Sequence, residues 1–194
     1  MAVTAVTGDI GAGKSTVSWI LARLMHCDVI DADVVAKSMW LRDDVKDAVL
    51  PHWGRGILDA SGKISVPEVS RRIFADKNEH DYCNSVIHPL VMRELRERTR
   101  LLDAAVVEIP LLPEVGRPSW VDRVVYVTAG FEARAERCRA SRGWNDEELK
   151  RREKFLLPQN LRMSVSDYVI RNEGSLSELE RQAVIFFFLQ ENNK

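Results

Sequence analysis

The chain has 194 residues, 45% of them apolar and 29% charged, with a formal net charge of −1. That length supports one α/β domain with insertions, and that composition belongs to a globular fold with a full core. The near-neutral balance gives no electrostatic case for a nucleic-acid or membrane-surface partner.

Taken in order, an apolar run from Ala2 to Val6 reads as a buried strand. It feeds Gly8-Asp9-Ile10-Gly11-Ala12-Gly13-Lys14-Ser15, the GxxxxGK[ST] pattern, and an amphipathic helix follows from Ser15 to Met25. Phosphate is a compact polyanion, best held by converging N–H donors and a fixed positive charge. Small residues at Gly8, Gly11, Ala12 and Gly13 let the backbone wrap closely, and the helix start adds partial positive charge. Lys14 is expected to reach the β/γ-phosphates and the Ser15 hydroxyl to ligate Mg²⁺, with Thr16 completing the ATP-binding set. Asp9 stands at a free position of the motif, and its side chain is expected to point outward.

Helix one places Val17, Ile20, Leu21, Leu24 and Met25 on one face. Val29-Ile30-Asp31 reads as a short buried strand, and Asp33 begins a helical pattern to about Leu41. Asp43 to Trp53 is a further helix, and Gly54 to Gly62 a turn-rich connection. Ser65 and Glu68 have capping-box spacing with Pro67 in the first turn, so a helix starts there and runs to about Phe74. A long helix, about Asn78 to Leu102, carries His88-Pro89, where Pro89 kinks or splits it. Ala104 to Ile109 is a central strand, ending in a stiff loop from Pro110 to Glu114. Arg123 to Val127 is another strand of the buried parallel kind.

Phe131 to about Ser141 is a basic helix, and Asn145 with Glu148 caps the next. Tyr168 to Ile170 is the last strand. Ser175 and Glu178 cap a C-terminal helix whose Leu176, Leu179, Ala183 and Phe187 are expected to face the core. Strands alternating with helices give a five-stranded parallel sheet flanked by helices. The expected organisation is a single domain, 1–194, with a substrate-binding helical insertion at about 62–102 and a lid at about 130–163. The apolar stretch from Ala183 to Leu189 is too short to span a bilayer. Cys27, Cys83 and Cys138 form no CxxC pattern and read as buried or free thiols. With the phosphate loop reached by residue 8, a cytoplasmic location is expected.

Phosphoryl transfer needs an oriented acceptor hydroxyl and positive charge on the transferring group. Asp33 either supplies the orienting base or only caps the helix it begins, and Asp31 supports a metal-bound water or the loop. Among the lid arginines, Arg142 before the Gly143-Trp144-Asn145 turn is best placed, followed by Arg139 and Arg137. His88-Pro89 is either a capped kink or a substrate contact. Asn172, after the final strand, either wraps the adenine or belongs to a plain turn.

The segments Thr7 to Thr16, Val29-Ile30-Asp31-Ala32-Asp33, Ile87-His88-Pro89-Leu90-Val91, Glu108-Ile109-Pro110-Leu111-Leu112 with Glu114, and Asp167-Tyr168-Val169-Ile170 with Asn172 and Gly174 resemble dephospho-CoA kinase in order and spacing. The resemblance covers nearly the whole chain. It implies a P-loop fold and transfer of the ATP γ-phosphoryl group to the ribose 3′-hydroxyl of dephospho-CoA. It also implies Asp33 as base, with His88, Pro110 and Leu111 beside the acceptor. The chain departs from the family pattern at Asp9, where glycine is usual, at Glu108 for aspartate, at Pro113 for phenylalanine and at Leu156 for glutamine. A nucleoside or nucleotide monophosphate kinase is the nearest rival, and a nucleotide-binding regulator without activity another. Asp59-Ala60-Ser61-Gly62 mimics a GTPase element, but the chain carries no NKxD guanine reader.

Overall fold

A computed structural model describes residues 2–191, the last two of these by backbone alone. In chain order the elements are β1 (Ala2–Gly8), α1 (Lys14–Leu24), β2 (Val29–Asp31), α2 (Ala32–Met39), α3 (Asp43–Trp53), α4 (Val66–Ile73) and α5 (Lys77–Thr99). Then come β3 (Ala104–Glu108), α6 (Leu112–Val115), β4 (Arg123–Thr128), α7 (Phe131–Arg142), α8 (Asp146–Glu153), α9 (Gln159–Met163), β5 (Tyr168–Arg171) and α10 (Leu176–Glu191). These residues fall into two compact units. One runs to Asp31 and resumes at Thr99, and the other spans Ala32–Arg98.

The first unit holds a five-stranded sheet in the order β2-β3-β1-β4-β5, with every pairing parallel. Valine and alanine dominate its strands because both faces are covered, which leaves no polar face to alternate with. Val6, Val106, Val125, Val127 and Ile170 pack with Val17 and Leu21 of α1 and with Leu179, Ala183 and Phe186 of α10. The register sets Val6 beside Glu108 and Gly8 beside Val127. It also sets Asp31 beside Glu108. The carboxyl ends of β1, β2 and β3 therefore meet at one edge, where ligands of open α/β sheets bind.

The second unit is helical. Its buried side chains include Val35, Val45, Val49, Ile57, Val69, Cys83 and Ile87, and Trp40 lies 6.2 Å from Trp53 between ring centroids. The Ser65 hydroxyl caps α4 by accepting from the Glu68 amide at 3.4 Å. Arg71 and Arg72 hold the Glu68 carboxyl down at about 2. Arg72 also donates to the Trp53 carbonyl at 3.2 Å.

Several expectations are revised. The segment after β3 is not a plain loop, since Leu112–Val115 closes a turn of helix. Pro89 does not split α5, which is one helix from Lys77 to Thr99. The connection after α3 contains a 3₁₀ turn, Arg55–Ile57. Leu176 is exposed, and Phe186 rather than Phe187 is the phenylalanine buried against the sheet. An α-helix advances about 100° per residue, so an error of one position turns a side chain from core to flank. Helix α9 has no periodic signal in the sequence because it is barely more than one turn. Among the described residues no helix is long and apolar enough to cross a membrane.

Candidate functional site

The loop between β1 and α1 has the shape its small residues allow. Gly8 and Gly13 have φ of 142° and 92°, a region that side-chain-bearing residues avoid. A Cβ at Gly8 would overlap the Val127 carbonyl, and one at Gly13 would overlap the Asn172 side-chain amide. The loop is thus pressed against β4 on one side and the end of β5 on the other. Lys14 opens α1 and is buried. Its ammonium donates to the carbonyls of Asp9 at 3.1 Å and Gly8 at 3.4 Å. Ser15 and Thr16 are exposed on the first turn of α1.

Glu108 closes the back of the loop. Its two carboxylate oxygens accept from Ser15 Oγ at 3.2 Å and Ser18 Oγ at 3.3 Å. Burial pushes its pKa above the ordinary glutamate value. The Lys14 charge and the Ser15 hydrogen bond oppose that rise, while Asp31 adds to it. The sequence placed Glu108 in a strand without assigning it this work. The parallel register, which puts Asp31 and Val6 alongside it, is what brings it to the loop.

Asp9 reverses an expectation. Its side chain points inward and is 1% exposed. It accepts from the hydroxyls of Tyr126 and Thr128, both at 2.6 Å, and from Gln159 Nε2 at 2.8 Å, and it pairs with Arg162 at 2.9 Å. Burial alone would raise this carboxyl. The hydrogen bonds from Thr128 and Tyr126, with the Arg162 charge, outweigh burial and hold it below the usual carboxylate value.

The lid arginines divide by what they touch. Arg137 donates to the loop carbonyls of Gly11 and Ala12, both at 3.4 Å, and to the Asn172 carbonyl at 3.0 Å. Arg134 is buried and binds the Ile10 carbonyl at 3.2 Å, with an ion pair to Glu153. Arg142 lies at the exposed end of α7 with its guanidinium 4.9 Å from the Trp144 ring, which Arg152 also approaches at 4.0 Å. Of the three arginines singled out from the sequence, Arg137 is the one seated on the loop. Asn172 joins it there, its side-chain amide donating to the Ala12 carbonyl at 2.8 Å. Pro110 lies at the same edge, its carbonyl accepting from Thr7 Oγ1 at 3.1 Å, and Leu111 follows directly.

In the helical unit, Asp33 is exposed in the first turn of α2. His88 is half-buried on α5, and burial, aided by the His80 charge, lowers its pKa. Among the described residues no cluster of three or more His, Cys, Asp or Glu side chains is arranged to hold a metal ion.

A glycine-built anion loop, a lysine within it, and a buried carboxylate one strand away define a P-loop nucleotide-binding protein. The dephospho-CoA kinase family model matches residues 2–178. The chain belongs to that family. It is 36% identical over 191 residues to a dephospho-CoA kinase of Corynebacterium diphtheriae, covering 94% of each chain. It is 33% identical over 183 residues to that of Geobacillus kaustophilus, covering 91% of this chain and 90% of the relative. The crystal structure of TT1252 from Thermus thermophilus superposes with a TM-score of 0.80 at 28% identity, covering 97% of each chain.

Proposed function

We propose that this chain transfers the γ-phosphoryl group of ATP to the ribose 3′-hydroxyl of dephospho-CoA, giving coenzyme A. The observation that carries the reading is the loop itself, with Lys14 buried inside it and Glu108 hydrogen-bonded to Ser15, in a member of this family. The amides from Gly8 to Ser15, with Gly11, Ala12 and Gly13, cradle the phosphates, and Thr16 and Asn172 border the nucleotide. Lys14 leaves the Gly8 and Asp9 carbonyls for the β/γ-phosphates, exchanging neutral acceptors for charged ones.

Oxygen donors of this kind suit Mg²⁺, which keeps most of its waters and needs few protein ligands. Ser15 would hold it directly and Glu108 would orient its waters. When bound, it offsets charge on the β- and γ-phosphates. In this reading Asp33 is the group that accepts the acceptor's hydroxyl proton, His88, Pro110 and Leu111 are the acceptor-binding residues, and Arg142 is the source of lid charge for the transferring group. The proposal treats 1–194 as one kinase domain with a substrate-binding insertion and a lid. A cytoplasmic location belongs to it as well, supported by the three free cysteines.

ADP release measured over an acceptor panel tests the reading. Turnover with dephospho-CoA and Mg²⁺ is expected. Turnover with a nucleoside monophosphate instead would assign the chain to the rival kinase class, and ATP binding without turnover on any acceptor would make it a regulator.

A further inference from the structure

We propose that Asp9 is a positioning residue that sets the shape of the phosphate loop by fastening it to β4 and α9. The inference rests on the loop being the ATP site. Asp9 is the second residue of the loop, and its main chain is already part of the cradle. Its N–H donates to the Val127 carbonyl at 3.0 Å, and its own carbonyl accepts from the Ala12 amide at 3.2 Å and from Lys14 at 3.1 Å. Whatever fixes Asp9 therefore fixes the entry arm of the loop and the starting position of the lysine.

The carboxylate supplies that fixation from both sides. Tyr126 and Thr128 donate from β4, while from α9 Gln159 donates and Arg162 forms an ion pair. Gln159 also reaches Thr128 Oγ1 at 3.2 Å, so the two sets of donors are tied to each other. Arg162 is held in turn by the Leu157 carbonyl at 2.9 Å and lies over the Tyr126 ring at 5.8 Å. A carboxylate offers about four lone-pair sites, and three hydrogen-bond donors and one cation converge here. The pair is 1% and 6% exposed.

A buried ion pair is a weak source of net stability, because desolvation cancels much of its attraction. What it provides is geometry: only one arrangement satisfies all its donors. Here that arrangement joins the phosphate loop to the segment that follows the basic helices α7 and α8. The motif itself asks nothing of this position, so the network is a feature of this chain beyond the phosphate cradle.

The test uses Asp9→Asn alone and Asp9→Asn with Arg162→Met, the second variant removing the stranded buried cation. ATP binding is titrated directly, and KM for ATP, KM for dephospho-CoA, kcat and melting temperature are measured beside it. Asp9→Asn is expected to weaken ATP binding and raise KM for ATP about tenfold. The acceptor KM and the kcat at saturating ATP should stay within about twofold. In the double variant the melting temperature should recover while ATP affinity stays low, which separates positioning from stability.

Wild-type ATP affinity in the double variant, or affinity that returns in step with melting temperature, overturns the proposal. If wild type binds ATP but does not phosphorylate dephospho-CoA, the function falls while the titration still decides the role of Asp9. A wild-type protein that takes up no ATP overturns both.

Discussion

Gly13→Ala tests how strictly the loop's geometry is required. Gly13 is the residue before α1, at φ 92° and ψ 32°. Holding an alanine in the left-handed region costs about 1–2 kcal/mol. The added methyl also overlaps the Asn172 amide, which must swing away and give up its 2.8 Å bond to the Ala12 carbonyl. A lost hydrogen bond of this kind contributes about 1 kcal/mol. The combined penalty of about 2–3 kcal/mol is relieved if the loop relaxes out of its anion-binding shape. Restoring that shape on binding then weakens ATP affinity roughly 30–150-fold.

Calorimetric titration with ATP reads this directly, and the Asn172→Ala background separates its two parts. With Asn172 truncated the overlap disappears and only the backbone share remains. Gly13→Ala should then weaken binding roughly 5–30-fold relative to Asn172→Ala alone. A Gly13→Ala protein with ATP affinity within threefold of wild type and an unchanged melting temperature would show that neither the positive φ nor the approach of Asn172 matters.

Asp33→Asn is expected to bind ATP normally and lose about 10²–10⁴-fold in kcat, and full turnover in that variant would leave Asp33 only as an acidic residue favouring the first turn of α2. Leu149→Ala empties a fully buried position beside Ala135 and Cys138 of α7 and the loop residue Ile10, and should cost about 2–5 kcal/mol by denaturant unfolding. A loss below about 1 kcal/mol would mean that α8 contributes little to the core under the loop. Asp9 carries a pH signature of known sign. Its folded pKa lies below the ordinary 3.8, so its stabilisation is present above that value and is lost as pH falls through the folded one. Asp9→Asn should therefore be less stable than wild type at neutral pH and converge on it in acid, whereas parallel melting curves at every pH would contradict the paired carboxylate.

Local sequence was enough to specify the strands, the phosphate loop, and the caps at Ser65 and Asn145. The buried parallel strands announce themselves as continuous valine-rich runs. Each of the other features is encoded within a few consecutive residues: glycine spacing before a lysine, or a side-chain oxygen three residues ahead of an amide. The placement of Lys14 and Ser15 on the first turn of α1, directly after the loop, was legible for the same reason.

Tertiary structure decided what depends on register and on distant neighbours. Glu108 becomes a partner of Ser15 only because β3 pairs in parallel with β1 at a register that brings residues 93 positions apart within 3.2 Å. Asp9 turns inward because Arg162 and Gln159 arrive from α9, some 150 residues later, in an element too short to leave a periodic trace. Likewise Arg134 and Arg137, three residues apart on one face of α7, reach the loop carbonyls, and which arginines share that face follows from the helix rotating each successive side chain by about 100°. Contacts between residues far apart in the chain carry no spacing of their own, so the fold alone selects which of several equivalent side chains meet.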